Sequence, residues 1–127
     1  GQLRNQPGHV IDLMPTCLDL AQAKYPIKRG DKATLALEGR SLVPAFAGDS
    51  IQRDAIFWEH QGNRAVREGD WKLVADHKGA WELYNLASDR TELNHRAKAQ
   101  PDRVKRLAAQ WDAWAKRAGV LPWPVRR

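Results

Sequence analysis

Residues 54–86 read Asp54-Ala55-Ile56-Phe57-Trp58-Glu59-His60-Gln61-Gly62-Asn63-Arg64-Ala65-Val66-Arg67-Glu68-Gly69-Asp70-Trp71-Lys72-Leu73-Val74-Ala75-Asp76-His77-Lys78-Gly79-Ala80-Trp81-Glu82-Leu83-Tyr84-Asn85-Leu86. The stretch contains four β-prone runs: Ala55–His60, Asn63–Arg67, Trp71–Ala75 and Trp81–Tyr84. Gln61-Gly62, Glu68-Gly69-Asp70 and His77-Lys78-Gly79 separate them. Short runs joined by glycine-containing turns predict an antiparallel meander, because glycine supplies the positive φ that tight hairpins demand. Trp71 and Leu73 alternate with Lys72, and Trp81 and Leu83 with Glu82. This gives the sheet one apolar face, which needs a helix to cover it.

Downstream, Val104, Leu107, Ala108, Trp111, Ala115 and Ala118 form one stripe at helical spacing. Pro101 suits a first helical position, Asp102 complements the dipole, and Gly119 with Pro122 and Pro124 stops the helix. Between sheet and helix, Asp89-Arg90-Thr91-Glu92 has the form of a capping box on one short turn.

Upstream, His9-Val10-Ile11 reads as the end of a buried strand. Asp12 reads as an N-cap whose carboxylate accepts from first-turn amides. Leu13, Met14, Cys17, Leu18 and Ala21 then predict a buried helix over about 12–22, ended by Tyr25-Pro26. Residues 24–53 read as connection, with one helical turn between Gly39 and Gly48. A connection of that length predicts chain docked on other protein. The expected fold class is α/β, in the form of an α+β fragment. A four-stranded antiparallel sheet with a packed C-terminal helix follows a strand-helix segment of an α/β domain. The division expected is 1–50 and 51–127.

The chain has 127 residues with 43% apolar and 28% charged, a globular composition. No run is apolar for long enough to span a membrane. The first residues are polar and lack an initiator Met, as expected of a fragment whose N-terminus lies elsewhere. Cys17 is the single cysteine, which excludes an internal disulfide, and its apolar neighbours predict a buried thiol. Net charge is +6, but the cations are scattered, with mild clusters at 103–106 and 116–127 and a final Arg126-Arg127 tail. That reads as a solvated face. A free-standing nucleic-acid or polyanion-binding module built on the six Trp would need them exposed beside Lys and Arg. Trp71, Trp81 and Trp111 fall on predicted buried faces instead, so no nucleic-acid partner is expected.

His9, His60, His77 and His95 show no i, i+4 pairing, and no nucleophile elbow, phosphate loop or dinucleotide fingerprint is present. No catalytic residue and no metal ligand is assigned. The densest polar group is Glu59-His60-Gln61-Gly62-Asn63-Arg64 at the first hairpin tip. His60, Asn63 and Arg64 can each donate to an anionic oxygen, which makes them the substrate-pocket candidates. Turn chemistry accounts for the same residues: Gly62 supplies positive φ, and Asn63 can bond its own backbone.

Phe57 to Arg67, continued by Gly69-Asp70-Trp71-Lys72-Leu73-Val74, resembles the C-terminal subdomain of arylsulfatases, in the alkaline-phosphatase-like superfamily. Trp81 to Leu86 with Asp89-Arg90-Thr91-Glu92-Leu93-Asn94 resembles the next segment of that subdomain. His9 to Thr16 resembles the family's strand-to-helix segment on the N-terminal side, and Gly39-Arg40-Ser41-Leu42 with Pro44 fits the intervening loop. The resemblance implies a parent that hydrolyses sulfate esters using calcium and a formylglycine made from a Cys/Ser-x-Pro-x-Arg motif. Cys17, with Leu18-Asp19-Leu20 after it, does not match that motif. The resemblance further implies that the partner of this chain is an N-terminal catalytic domain, that the chain is inactive alone, and that His60 faces the substrate pocket. A bacterial parent would be periplasmic or secreted. A phosphonate or phosphodiester hydrolase of the same superfamily stays open.

Overall fold

The structure, a computed structural model, describes residues 1–125; the basic tail Arg126-Arg127 lies outside the described residues. The chain divides into two compact units, Gly1–Arg53 and Asp54 onward.

The first unit opens on a 3-10 turn, Val10–Asp12, where the sequence suggested a strand end. The cause is a reciprocal cap. The Asp12 carboxylate accepts from the His9 amide at 2.8 Å, and the His9 imidazole accepts from the Ile11 amide at 3.3 Å. Helix α1 follows at Leu13–Leu20, shorter than predicted. A Schellman closure ends it before Tyr25-Pro26: Gln22 takes φ +50°, the Ala23 amide donates to Leu18 O, and the Gln22 amide donates to Asp19 O. Residues 24–53 hold more order than a plain connection. They contain a two-stranded ribbon, β1 (Lys28–Arg29) and β2 (Lys32–Ala33), and helix α2 (Val43–Ala47), closed by Gly48 at φ +98°.

Asp12 organises this unit. It is fully buried and makes no cap bond to α1, contrary to the sequence reading. Its carboxylate accepts from the His9 and Arg40 amides, the latter at 2.9 Å, and pairs with Arg53 at 2.6 Å. Burial pushes this carboxyl up, but the Arg40 amide, the Arg53 guanidinium and the His9 amide together hold it below the usual carboxylate range. Gly39 lets the Arg40 segment approach: a Cβ there would stand 2.0 Å from the Ile11 carbonyl oxygen. Thr16 adds a second tie, donating to Asp12 O at 2.7 Å and accepting from the Leu42 amide at 2.9 Å. Thr16 is the one buried residue of α1. Leu13, Met14 and Leu20 are more than half exposed, and Cys17 is exposed rather than buried. The expected buried helix is therefore uncovered, because this unit has no second apolar layer to set against it.

The second unit is the four-stranded sheet: β3 (Ile56–His60), β4 (Asn63–Glu68), β5 (Trp71–Ala75) and β6 (Glu82–Asn85), antiparallel in sequential order. Phe57 faces Val66, Val66 faces Leu73, and Leu73 faces Leu83, which makes one apolar row across all four strands. Helix α3 (Pro101–Ala118) covers it with Leu107, Trp111 and Ala115. Val66, Leu73, Leu83 and Leu107 have no exposed surface, and each contributes about 1.5–3 kcal/mol by burial. The Trp111 indole donates to Trp58 O at 3.0 Å. Ala118, placed on the stripe by spacing, is exposed; Trp114 packs instead, stacked on Phe57 with ring centroids 5.2 Å apart. Glu68 and Arg106 form a two-pronged ion pair at 2.7 and 2.5 Å across the sheet-helix junction.

The predicted capping box at 89–92 does not form. Asp89 accepts from the Leu93 and Asn94 amides at 3.0 and 2.7 Å, but in an open loop. Glu92 takes φ +60° and turns to Lys72 at 2.6 Å rather than back to the cap.

Candidate functional site

The turn between β3 and β4 has two residues, Gln61 at φ +53° and Gly62 at φ +83°. Two positive φ values in a two-residue loop make a type I′ hairpin, which sets the register of both strands. His60 therefore pairs with Asn63, and Glu59 with Arg64. Side chains opposite one another share a face, and neighbours along a strand do not. His60 and Asn63 stand on one face; Glu59 and Arg64 stand on the face covered by α3. The three sequence candidates are thus not brought together.

His60 is exposed, and its imidazole engages no hydrogen bond or ion pair among the described residues. Asn63 does not bond its own backbone. Its Oδ1 accepts from the His77 amide at 2.9 Å, tying the tip to the next loop. The Glu59 carboxylate accepts from the Gly62 amide at 2.8 Å. Gly62 is favoured by its positive φ, and the His77 ring lies so close that a Cβ there would stand 2.2 Å from Nδ1 and turn the exposed ring aside. His77 is exposed but packs on this glycine.

Arg64 pairs with neither Glu59 nor Glu82. Its guanidinium lies 4.3 Å over Trp81 and 5.9 Å from the Trp111 ring. Its Nη2 donates to Gly79 O at 3.3 Å, while its Nε is buried without an acceptor. Glu82 accepts from the Tyr84 hydroxyl at 2.6 Å, and that bond, with burial, pushes Tyr84 up to about 12.

No group of three or more His, Cys, Asp or Glu that could hold a metal ion exists among the described residues. Asp12, the buried carboxylate, is committed to two amides and a guanidinium. That donor set fits no cation, so a calcium ion finds no site among the described residues. No helix among the described residues is long and apolar enough to cross a membrane.

No family model matches the chain. Over 123 residues, 91% of this chain, it is 32% identical to an uncharacterized sulfatase of Schizosaccharomyces pombe. The chain belongs to the sulfatase family. Over 110 residues this sulfatase-family chain is also 32% identical to arylsulfatase K of Danio rerio, covering 76% of its own length. It spans about a fifth of each relative, 22% and 20%. Among solved structures it resembles Ps i-CgsB with a TM-score of 0.70 at 24% identity, over 87% of this chain and 24% of that one. It also resembles the phosphonate monoester hydrolase of Agrobacterium radiobacter, with a TM-score of 0.52 at 25% identity over 87% of this chain and 25% of that one. The mixed α/β architecture with its four-stranded sheet is the one these neighbours share.

The sequence reading missed His77, Lys78 and the tail after Gly119 as neighbours of the hairpin tip. One sign was present: the Glu68-Gly69-Asp70 turn returns β5 antiparallel to β4, which brings the residues after Ala75 beside Asn63.

Proposed function

We propose that the complete protein hydrolyses sulfate esters to an alcohol and sulfate, and that this chain is its C-terminal region, packed beside the catalytic cleft. The observation carrying the proposal is the 32% identity to a sulfatase across 91% of the chain. The uncovered apolar side of α1, with Leu13, Met14 and Leu20 exposed, supports a catalytic domain as the partner of residues 1–50, with 51–127 as the sheet subdomain. In that domain a calcium ion and a formylglycine would supply the Lewis acid and the nucleophile; no residue of this chain takes either role.

Within the chain, His60 is the proposed pocket-facing residue, because it is an exposed, unengaged imidazole on a rigid hairpin tip. It can donate to the ester oxygen or to a polar group of the substrate. Asn63 shares its face and holds the tip through His77. Arg64 belongs to the opposite face, where its charge lies against two indoles. A second reading, phosphonate ester hydrolysis, is supported by the fold likeness to the Agrobacterium enzyme alone. The test is His60→Ala in the complete protein. The expected result is at least about a tenfold fall in kcat/KM for an aryl sulfate, roughly 1.4 kcal/mol of transition-state binding, with an unmoved melting temperature. Unchanged kinetics with a lowered melting temperature would make His60 structural.

A further inference from the structure

Arg64 carries a charge that no carboxylate answers among the described residues. Its side chain is half-buried, with the guanidinium 4.3 Å over the Trp81 ring and 5.9 Å from that of Trp111. That guanidinium makes one hydrogen bond, to the neutral Gly79 carbonyl at 3.3 Å, and its buried Nε has no acceptor. Two indoles and one carbonyl offset only part of the hydration that a cation loses on burial, so a group of this kind ordinarily meets a counter-charge. Arg64 lines a groove of about 390 Å³ beside the hairpin tip. Lys78 and Lys116 line it too, both exposed and neither in an ion pair among the described residues. The lining carboxylate, Glu59, is engaged by the Gly62 amide.

The chain that leaves α3 completes the lining. Gly119 at φ +72° turns it, and the Val120 amide donates back to Ala115 O at 2.9 Å. Leu121 and Trp123 then line the groove while 62% and 42% exposed. Three cations set among uncovered apolar side chains have the make-up of an unfilled interface rather than of a solvated face. Charge complementarity calls for an acidic occupant. Continuity with the tip says where it comes from. The tip that lines the groove with Arg64 carries His60 on its other face, and the tip is one sheet thick, so a domain that meets His60 at the cleft also borders the groove. About four fifths of each relative lies beyond the stretch matched by this chain. We infer that the groove receives an acidic segment of the N-terminal catalytic domain, with an Asp or Glu carboxylate closing on Arg64 and apolar neighbours covering Leu121 and Trp123. This rests on the reading that the chain packs beside such a domain, and adds to it the contact that locks the two together.

The experiment treats the complete protein, mixed from unlabelled and isotope-labelled copies, with a water-soluble carbodiimide. This reagent joins an amine to a carboxylate in contact with it and leaves no spacer, and mass spectrometry identifies the linked peptides. Lys78 and Lys116 of the unmodified sequence should link to Asp or Glu of one segment outside residues 1–127, within a single copy. Arg64→Lys should add a link from position 64 to that same segment. Three results would each overturn the inference: no link at either native lysine, links confined to carboxylates of this chain, or links only between differently labelled copies. Sulfate release from an aryl sulfate is measured on the same preparation. Turnover without the links overturns this inference and leaves the sulfatase reading standing, whereas the links without turnover support the inference and count against the sulfatase chemistry alone.

Discussion

Trp111→Ala is the sharpest perturbation of the fold. Trp111 is 8% exposed and stands at the centre of the sheet-helix core, edge-on to Trp81 at 6.1 Å and tilted against Trp114 at 6.1 Å. Its truncation removes a large buried side chain, typically a loss of about 3–5 kcal/mol. It also strips the Trp58 carbonyl of its indole donor, a further loss of roughly 1 kcal/mol. A unit of about 70 residues has a total stability of roughly 4–10 kcal/mol. The substitution therefore consumes half of it or more. Trp111→Phe keeps most of the buried ring and loses mainly the donor, so it should cost about 1–2 kcal/mol. Urea unfolding followed by far-ultraviolet circular dichroism separates the two. With a slope of about 1.5 kcal/mol/M, the midpoint should fall by about 3–4 M for Ala and about 1 M for Phe. Coincident midpoints for wild type and Trp111→Ala would refute the claim that α3 is pinned to the sheet through this indole.

Other outcomes rest on the same geometry. Gly39→Ala should disrupt the first unit, because its Cβ would meet backbone at 2.0 Å; loss of amide protection at Arg40 with an intact sheet is the expected hydrogen-exchange pattern. Asp12→Asn should cost about 3–5 kcal/mol, because it leaves Arg53, whose side chain is 11% exposed, without its counter-charge. Asp12 has a folded pKa below its unfolded value of 3.8, so its contribution is present above that value and lost as pH falls through the folded one. Acid loosening of the first unit below about pH 4 should therefore vanish in Asp12→Asn, as read from the His9 and Arg40 amide signals.

The sheet and α3 are legible in the sequence because local chemistry repeats there. Gly62 and Gly69 mark tight turns, Trp71, Leu73 and Leu83 keep a strict alternation, and Pro101 and Gly119 punctuate the helix. The first unit is not, because its organising contacts are distant in sequence. Nothing near Asp12 announces that Arg40 and Arg53 converge on it, so its carboxylate reads as a helix cap. Cys17 and Leu13 read as buried because apolar periodicity specifies a face and not what covers it. Trp114 packs where Ala118 does not, because its ring finds a stacking partner in Phe57 of β3, one residue off the ideal stripe. The candidate site is half legible. Donor chemistry alone selects its residues, whereas the parity of a two-residue turn already separates Arg64 from His60 and Asn63.

Sulfate release from an aryl sulfate by the purified complete protein, measured beside this chain alone, tests the central claim most directly. The account predicts turnover by the complete protein that disappears when the Cys or Ser of its Cys/Ser-x-Pro-x-Arg motif is replaced by Ala, and none by this chain. No such motif in the complete reading frame, or turnover of a phosphonate ester without any of the sulfate ester, would contradict it.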